Sequence, residues 1–136
     1  FFMLLNNQIV ATGEQIKTLA QDYPKNTPVV MVNLLKFKEK TEKGNESGQE
    51  AYMRYSQNVL PLLEKVGGKI LWSGQVNMTV IGDNDDQPDM VIIVEYPSVQ
   101  NFLAMATSPE YQEIKEDREI ALEYGGLLAS STLMKL

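Results

Sequence analysis

"VIIVEYPSVQNFLAMATSPEYQEIKEDR", Val91–Arg118, carries a strand and two helix starts in one continuous stretch. Its first residues are apolar and β-branched and stop at Pro97, which is typical of a strand. Ser98 is a favoured N-cap residue, so a short helix is expected to follow it. Ser108-Pro109 repeats the signal, with serine as the cap and proline at the first helical position. The stretch therefore predicts one strand followed by two successive helices.

The chain on either side of this stretch supplies the remaining elements. Thr12–Gln15 and Ser47–Glu50 both match the capping-box pattern that opens a helix. Gly67-Gly68 and Gly125-Gly126 are expected to end the helices that precede them. The predicted helices cover about residues 13–23, 48–66, 98–107 and 109–124. The predicted strands cover residues 29–37, 69–82, 90–97 and 127–136, and the second of them is either one strand or a pair, with a bulge at Gly74. A loop is expected over residues 38–48 and a turn over residues 83–89.

The order of these elements predicts the fold. After the first helix it is strand, helix, strand, strand, helix and strand. That βαββαβ order is typical of the ferredoxin-like arrangement, an α+β fold with a four-stranded antiparallel sheet and helices on one face. A chain of 136 residues favours one such core. We therefore expect an N-terminal extension with one helix over residues 1–27 and a ferredoxin-like domain over residues 28–136.

Both faces of the predicted strands are apolar. Along one strand the first face presents Met90, Ile92, Val94 and Tyr96, and the second presents Val91, Ile93 and Glu95. A sheet covered on one side only should instead alternate apolar and polar residues. The second face therefore needs another apolar surface, and the simplest is the same sheet of a second copy. We expect a homodimer whose sheets face each other.

The composition removes several classes of function. A net charge of -6 without a basic cluster argues against nucleic acid or an anionic membrane as a partner. There is no cysteine, so thiol nucleophiles, disulfides and thiolate metal sites are excluded. There is also no histidine, the usual general base and the commonest metal ligand. We expect neither a metal nor a bound cofactor, and any chemistry must use other side chains.

The first residues make a poor signal peptide. The stretch "FFMLL", residues 1–5, has no basic flank and no small-residue cleavage site. No apolar run in the sequence approaches the ~20 residues that a membrane span needs. We therefore expect a cytoplasmic location.

Three stretches resemble a known family. They are "PVVMVNLLKF" from Pro28, "AYMRYSQNVLPLLEKVGGKIL" from Ala51, and the opening stretch. Together, over about residues 28–133, they resemble a family of small proteins of unknown function in the dimeric α+β barrel superfamily. The most specific part is a strand, "YPS", a short helix, "SPEYQ" and the arginine that lies two turns later. The resemblance implies a ferredoxin-like fold with a pocket.

Relatives within that superfamily suggest what the pocket could do. They include cofactor-free quinone-forming monooxygenases, haem-degrading enzymes, decarboxylases and muconolactone isomerase-like proteins. Members that depend on histidine cannot be models for this chain, because it has none.

The arginine that ends the opening stretch lies on an unexpected face. Arg118 shares a helical stripe with Tyr111 and Ile114, and that stripe should enter the core. In a structural interpretation, its guanidinium pairs with Glu95, Glu123 or a backbone carbonyl. In a functional interpretation, it anchors a carboxylate or enolate oxygen at the mouth of a pocket. A buried charge needs a partner in either case, and Glu95 is the first candidate.

Five further side chains also have a structural and a functional interpretation. Asn33, on an apolar strand face, bonds either a neighbouring strand or a ligand. Trp72 packs in the core or the dimer interface, or it lies flat against a planar ligand. Tyr52, Tyr55 and Tyr111 face the core, and a phenol beside an arginine has a lowered pKa and can donate a proton.

The residues support two hypotheses. In the first, a pocket between the sheet and the long helices binds a small planar or anionic organic compound. The residues expected to line it are Asn33, Tyr52, Trp72, Glu95, Tyr111 and Arg118. As an enzyme it would be a cofactor-independent monooxygenase or isomerase, with Arg118 or Asn33 stabilising an oxyanion. Glu95 would be a weak base and Tyr111 a proton donor. In the second, the protein is a non-catalytic homodimer that binds a ligand, or only itself.

Overall fold

The computed structural model of the protein describes residues 9–135, so the apolar residues 1–5 lie outside the part that it describes. Helices and strands alternate along the described chain much as the sequence predicts. The elements are α1 (Gly13–Asp22), β1 (Val29–Phe37), α2 (Gly48–Lys65), β2 (Lys69–Gln75), a 3-10 turn (Asn84–Asp86), β3 (Met90–Tyr96), α3 (Val99–Ala106), α4 (Pro109–Ala121) and β4 (Leu122–Ser130).

The strands form one antiparallel sheet in the order β2-β3-β1-β4. β1 lies inside the sheet, pairing with β3 on one side and β4 on the other. This is the ferredoxin-like arrangement, with each βαβ unit split by a strand inserted between its two strands. The predicted α+β fold is confirmed. α1 precedes this unit, and the proposed division after residue 27 stays a prediction.

Local sequence sets the helix starts. The side chains of Thr12 and Ser47 each accept a hydrogen bond from the backbone N–H of Gln15 and Glu50, respectively. The side chains of Gln15 and Glu50 accept a bond from the cap N–H in return, which completes both capping boxes. Ser108 caps α4 in the same way, with the N–H three residues later at 3.1 Å. These bonds satisfy N–H groups that have no partner inside the helix.

The boundary between α4 and β4 differs from the prediction. α4 ends at Ala121 and β4 begins at the next residue, so the predicted helix stop at Gly125-Gly126 is wrong. Both glycines lie inside β4. A Cβ atom at Gly125 would lie only 2.8 Å from Nη2 of Arg118. The first of these glycines therefore makes room for an arginine, where the sequence pattern suggested a helix end.

β2 is shorter than predicted. It ends at Gln75 and does not continue to Gly82. Gly82 has φ 130°, a backbone conformation that side-chain-bearing residues rarely adopt, and the chain has left the sheet there. The irregularity in the pairing of β2 with β3 lies at Leu71, so the predicted bulge at Gly74 is also wrong.

The two faces of the sheet have different surroundings. On the inner face, α2, α3 and α4 pack against buried residues that include Met31, Leu35 and Val94. On the opposite side, the side chains are again mostly apolar. The outer face, as we call this side, comprises Val30, Val32, Leu34, Trp72, Val91, Ile93 and Leu128. Trp72 and Leu128 are each 55% exposed.

Membrane-spanning helices and carboxylate metal sites are both absent from residues 9–135. No helix in that range combines the length and apolar character needed to cross a bilayer. No group of three acidic side chains there is arranged to hold a metal ion. The expected cytoplasmic location and the expected lack of a cofactor stay predictions.

Candidate functional site

An open cavity lies between the inner face of the sheet and the helices. Its volume is about 1240 Å³. α2 contributes Tyr52 and Tyr55, α4 contributes Tyr111 and Arg118, and β1 contributes Asn33. Ligand pockets usually measure roughly 300–1000 Å³, so this cavity is larger than a typical ligand pocket.

α1 covers part of the cavity without filling it. Ile16, Leu19 and Tyr23 line the cavity, yet no residue of α1 is buried. The Tyr23 hydroxyl donates a hydrogen bond to the Ser130 carbonyl at 3.1 Å, which ties the end of α1 to β4. Leu19 and Tyr23 pack against the buried core cluster, whereas Ile16 faces open space that another apolar group could occupy.

Arg118 reaches the cavity from α4 and is held by backbone carbonyls. Its guanidinium donates one hydrogen bond to the carbonyl of Ile9 and another to that of Gly125, the latter at 3.0 Å. Among residues 9–135, no carboxylate lies within ion-pair distance of it. Two neutral carbonyls orient the guanidinium but do not cancel its positive charge. The remaining N–H groups of the guanidinium therefore stay available to an anionic oxygen.

Three tyrosines on α2 and α4 continue this polar surface. The hydroxyls of Tyr55 and Tyr111 are 2.9 Å apart and share a hydrogen bond. The ring of Tyr52 packs on that of Tyr55 with centroids 5.3 Å apart, in a tilted arrangement. This close packing fixes the phenols in the cavity wall, because each ring is buried against the next.

Burial keeps the phenols of Tyr52 and Tyr55 protonated. Desolvation raises the pKa of Tyr52 to about 12, although Arg118 acts in the opposite direction. Desolvation also raises the pKa of Tyr55 well above its ordinary value, with Tyr111 adding to the effect. The net shifts are upward, contrary to the lowered pKa that the sequence suggested for a phenol near an arginine. At neutral pH the two phenols can therefore donate hydrogen bonds but are poor bases.

Asn33 lines the cavity, and its amide is also part of the sheet. Its Nδ2 donates to the carbonyl of Ile92 on β3 at 3.1 Å. This is the neighbouring-strand bond of the structural interpretation. One of the two amide N–H groups is engaged by this bond, so a ligand would use the second N–H or the oxygen.

The predicted pairing of Glu95 with Arg118 does not form. Glu95 lies opposite Val30 and Lys69 in the sheet, so its side chain points to the outer face. Its Oε1 is 4.0 Å from Nζ of Lys69. Side chains alternate between the two faces along a strand, and Val94 takes the inner side at this point. Glu95 cannot serve as a base in the cavity.

Trp72 is also absent from the cavity. It pairs with Ile93 and so belongs to the outer face. The bulge at Leu71 shifts the alternation, because one extra residue moves the next side chain to the other face. A Cβ atom at Gly74 would lie 2.3 Å from the Trp72 ring, so the indole lies over that glycine.

The structure thus brings together four residues of the predicted set at the cavity, Asn33, Tyr52, Tyr111 and Arg118. Trp72 and Glu95 lie apart from them on the outer face.

Sequence reasoning missed the contribution of the N-terminal segment. The residues from Ile9 through α1 line the cavity, and the carbonyl of Ile9 binds Arg118. A backbone carbonyl leaves no trace in a sequence, so this contact could not have been found. The apolar stripe of α1 was visible, but nothing showed which surface it would meet.

A family model described as "Domain of unknown function (DUF1330)" matches residues 46–130, more than half of the chain. The chain belongs to this family. The match includes α2, β2, β3, α3, α4 and β4, and with them Tyr52, Tyr111 and Arg118. No curated protein matches the chain.

Solved structures extend the comparison to the whole fold. The RPA0582 protein of unknown function from Rhodopseudomonas palustris is 32% identical, with a TM-score of 0.88, covering 94% of this chain and 98% of that one. A dimeric protein of unknown function with a ferredoxin-like fold from Bacteroides fragilis is 15% identical, with a TM-score of 0.53 and coverage of 80% and 100%. Hydroxynitrile lyase from Passiflora edulis is 15% identical, with a TM-score of 0.59 and coverage of 82% and 98%. The last two comparisons concern the fold alone. The family of unknown function and the ferredoxin-like fold that the resemblance implied are confirmed.

Proposed function

We propose that the protein binds a small organic compound through a carboxylate or carbonyl oxygen, with Arg118 as the anchor. The observation that carries this proposal is a cavity-facing guanidinium held by two neutral carbonyls. A structural arginine can also be held by backbone carbonyls, but carbonyls leave its half-buried positive charge without a negative partner among the described residues, which is costly. A ligand oxygen would supply the missing negative charge.

The same groups suit the stabilisation of an enolate. A substrate with an acidic C–H next to a carbonyl gains negative charge on that oxygen when it loses a proton. Arg118 and the phenol hydroxyls of Tyr52 and Tyr111 would then bind the oxyanion. In an isomerase the proton returns to another carbon. In a cofactor-independent monooxygenase, molecular oxygen oxidises a ring CH₂ to C=O, and its second atom leaves as water.

A base is the missing part of such an enzyme. The carboxylates that line the cavity are Glu14, Asp22 and Glu119. Glu119 is half-buried, whereas the other two are exposed, so it replaces Glu95 as the candidate base.

A non-catalytic binding protein is the second candidate. The observation that favours it is the upward pKa shift of Tyr52 and Tyr55, which leaves these two phenols as hydrogen-bond donors and not as bases. Exchange of the methyl hydrogens of acetophenone in heavy water separates the two candidates. An enzyme would accelerate the exchange over buffer and lose the acceleration in Glu119→Gln. No acceleration by the wild-type chain would favour the binding protein.

The binding proposal itself is tested with benzoate, a small planar anion. Arg118→Gln should weaken benzoate binding, measured by native mass spectrometry, by about ten- to a hundredfold, because charge-assisted hydrogen bonds are lost. The melting temperature should fall little. Arg54→Gln is the matched control, since Arg54 lies outside the cavity lining. Unchanged binding together with a large fall in melting temperature would show that Arg118 is structural.

We also propose that the protein is a homodimer joined through the outer face. Apart from Glu95 and Lys69 at one end, this face is a largely apolar surface on a sheet whose other side packs against helices. A sheet that is apolar on both sides needs a cover on each. The ferredoxin-like neighbour from Bacteroides fragilis is described as dimeric, which supports the same assembly for this chain.

Size-exclusion chromatography with light scattering at micromolar concentration tests the dimer. The wild-type chain should elute with the mass of two copies. Leu128→Glu on the outer face should shift it toward one copy, because a buried carboxylate has no partner there. Met53→Glu, at an exposed apolar position on α2, should leave the mass unchanged. A wild-type monomer would rule out this assembly.

A further inference from the structure

We propose that the ligand is an amphipathic carboxylate, with its head on Arg118 and an apolar body lying along α2 beneath α1. The inference rests on the proposed function and narrows the ligand class. A small planar compound such as benzoate would occupy only one end of the cavity. The longer ligand is favoured by how polar and apolar groups are distributed along the cavity and by the poor packing of α1.

The polar groups lie toward one end of the cavity. Arg118 is close enough to Tyr52 to act electrostatically on its hydroxyl, and it bonds the carbonyl of Gly125 at 3.0 Å. Tyr52 is in the second turn of α2. Leu63, near the other end of α2, also lines the cavity. Eleven residues separate the two, which corresponds to roughly 16 Å along the helix axis.

The far end of the cavity is apolar. Leu63, Val94 and Met105 belong to one buried cluster, and Phe102 and Leu103 pack against it. Of the two phenols nearby, the Tyr96 hydroxyl is directed at the sulfur of Met105, and Tyr23 donates to Ser130. Their hydroxyls are therefore engaged within the protein. A ligand body at this end would meet hydrocarbon and aromatic surface.

α1 gives the reason for a long body. Ile16 and Leu19 line the cavity while Ile16 remains 38% exposed, although apolar helix stripes normally pack against a core. Leu19 already packs against the buried cluster, but a benzoate-sized ligand at Arg118 would leave Ile16 and the exposed part of Leu19 facing open space. An alkyl or aryl-alkyl chain under α1 would bury them and fill more of the 1240 Å³ space.

The chemistry of the head group follows from the charge around it. One planar guanidinium matches the two oxygens of a carboxylate. The chain has a net charge of -6, and the cavity lining has three acidic residues, Glu14, Asp22 and Glu119, against two basic ones, Lys115 and Arg118. A doubly charged phosphate would meet more repulsion there than a singly charged carboxylate.

Calorimetric titration of the full chain with decanoate, 1-decanol and benzoate tests this assignment, below the concentrations at which decanoate forms micelles. Decanoate should bind at least about tenfold more tightly than either of the other two, because it alone uses both ends of the cavity. Arg118→Gln should abolish the advantage over 1-decanol and leave 1-decanol binding unchanged.

Each other outcome has a separate meaning. Benzoate binding as tightly as decanoate would overturn the amphipathic ligand and leave the proposed function standing. Equal binding of decanoate and 1-decanol by the wild-type chain would overturn Arg118 as the head site. Failure of both carboxylates to bind would overturn the proposed function as well.

A pair of variants on α1 tests the position of the ligand body. Ile16→Lys places a charge on the cavity side of the helix, and Gln21→Lys places the same charge at an exposed position outside the lining. Ile16→Lys should weaken decanoate binding about fivefold or more while leaving benzoate binding unchanged, because only the longer ligand reaches α1. Gln21→Lys should have no effect. Equal decanoate affinity in the two variants would overturn the placement under α1.

Discussion

Two regions around α4 hold an arginine in opposite ways. In the first, Arg54 of α2 forms ion pairs with Glu46 and with Asp117, the latter at 2.9 Å. We call this region, together with Gly48, the junction. In the second, Arg118 binds only backbone carbonyls within the described residues and faces the cavity. The charge of Arg54, which contacts α4 from α2, is thus balanced inside the protein, whereas the charge of Arg118, on α4 itself, is not balanced within the described part of the chain. This difference separates a structural role for Arg54 from the proposed binding role of Arg118.

Each region also contains a glycine, Gly48 at the junction and Gly125 at the cavity, and the two differ in the atoms that surround them. A Cβ atom at Gly48 would lie 2.4 Å from the carbonyl oxygens of both Ala121 and Lys38. Those are backbone atoms of a buried segment and cannot move aside easily. At Gly125 the nearest atoms belong to the side chains of Leu122 and Arg118, which can rotate. The junction is therefore closed and rigid, whereas the cavity end has room to adjust.

The largest expected effect comes from overfilling the junction. Gly48→Ala should lower the free energy of unfolding by about 3 kcal/mol, because the new methyl group meets backbone on two sides. Denaturant unfolding gives the measurement. Gly13→Ala is the control, since nothing lies within 4 Å of a Cβ atom there. If Gly48→Ala lowered the free energy of unfolding no more than Gly13→Ala does, the backbone around Gly48 would have to move aside for the new methyl group.

Alkaline pH should act first on the cavity side. Burial raises the pKa of Tyr52 to about 12 in the folded chain, above its ordinary value of 10.0 in the unfolded chain. The stabilising contribution is therefore complete below pH 10 and is lost as pH rises toward 12, by about 2 kcal/mol for this residue. Phenolate absorbance followed alongside unfolding tests it. Tyr52→Phe should flatten the decline, and a decline of equal steepness in that variant would contradict the assignment.

Crowding the cavity end should affect binding more than folding. Gly125→Ala brings a methyl group against the guanidinium of Arg118, which can turn away, so the free energy of unfolding should fall by only about 1 kcal/mol. The affinity for benzoate should fall at least tenfold, since the guanidinium of Arg118 loses its orientation. Thermal melts and native mass spectrometry give the two values. Full binding in this variant would mean that the guanidinium does not need Gly125.

The smallest expected effect is an acid-dependent one at the junction. The hydrogen bonds from Arg54 hold the pKa of the Glu46 and Asp117 carboxyls below their ordinary values of 4.5 and 3.8. Their contribution is present above those values and is lost as pH falls through the lowered ones. The small difference in melting temperature between wild type and Arg54→Gln at pH 7 should shrink as the pH falls through the lowered pKa values of the two carboxyls, and a constant difference would contradict it.

Local signals in the sequence were sufficient for most of the fold. Thr12, Ser47 and Ser108 fix helix starts through bonds that span three residues, so they can be found without knowing the rest of the structure. Gly125 misled the prediction because its neighbour is Arg118 in space, and a glycine pair after a helix looks the same whether it ends that helix or admits a side chain.

The candidate site was predicted only where helix spacing decides direction. Tyr52, Tyr111 and Arg118 face inward by the 3.6-residue period, and the structure places all three at the cavity. Glu95 was assigned to the cavity although the alternation along its strand already placed it with Val91 and Ile93 on the second face. Trp72 was misplaced because a single bulge at Leu71 reverses the facing of the later residues of β2. The partners of Arg118 are carbonyls, which no residue pattern encodes.

The position of Trp72 has an optical consequence. It is the single tryptophan of the chain and lies on the opposite side of the sheet from the cavity, over Gly74. Its fluorescence should therefore respond to whatever covers that side and remain nearly silent when a ligand enters. The cavity has its own chromophores in Tyr52, Tyr55 and Tyr111. Association of subunits and occupation of the cavity can thus be followed at separate wavelengths in one unlabelled sample.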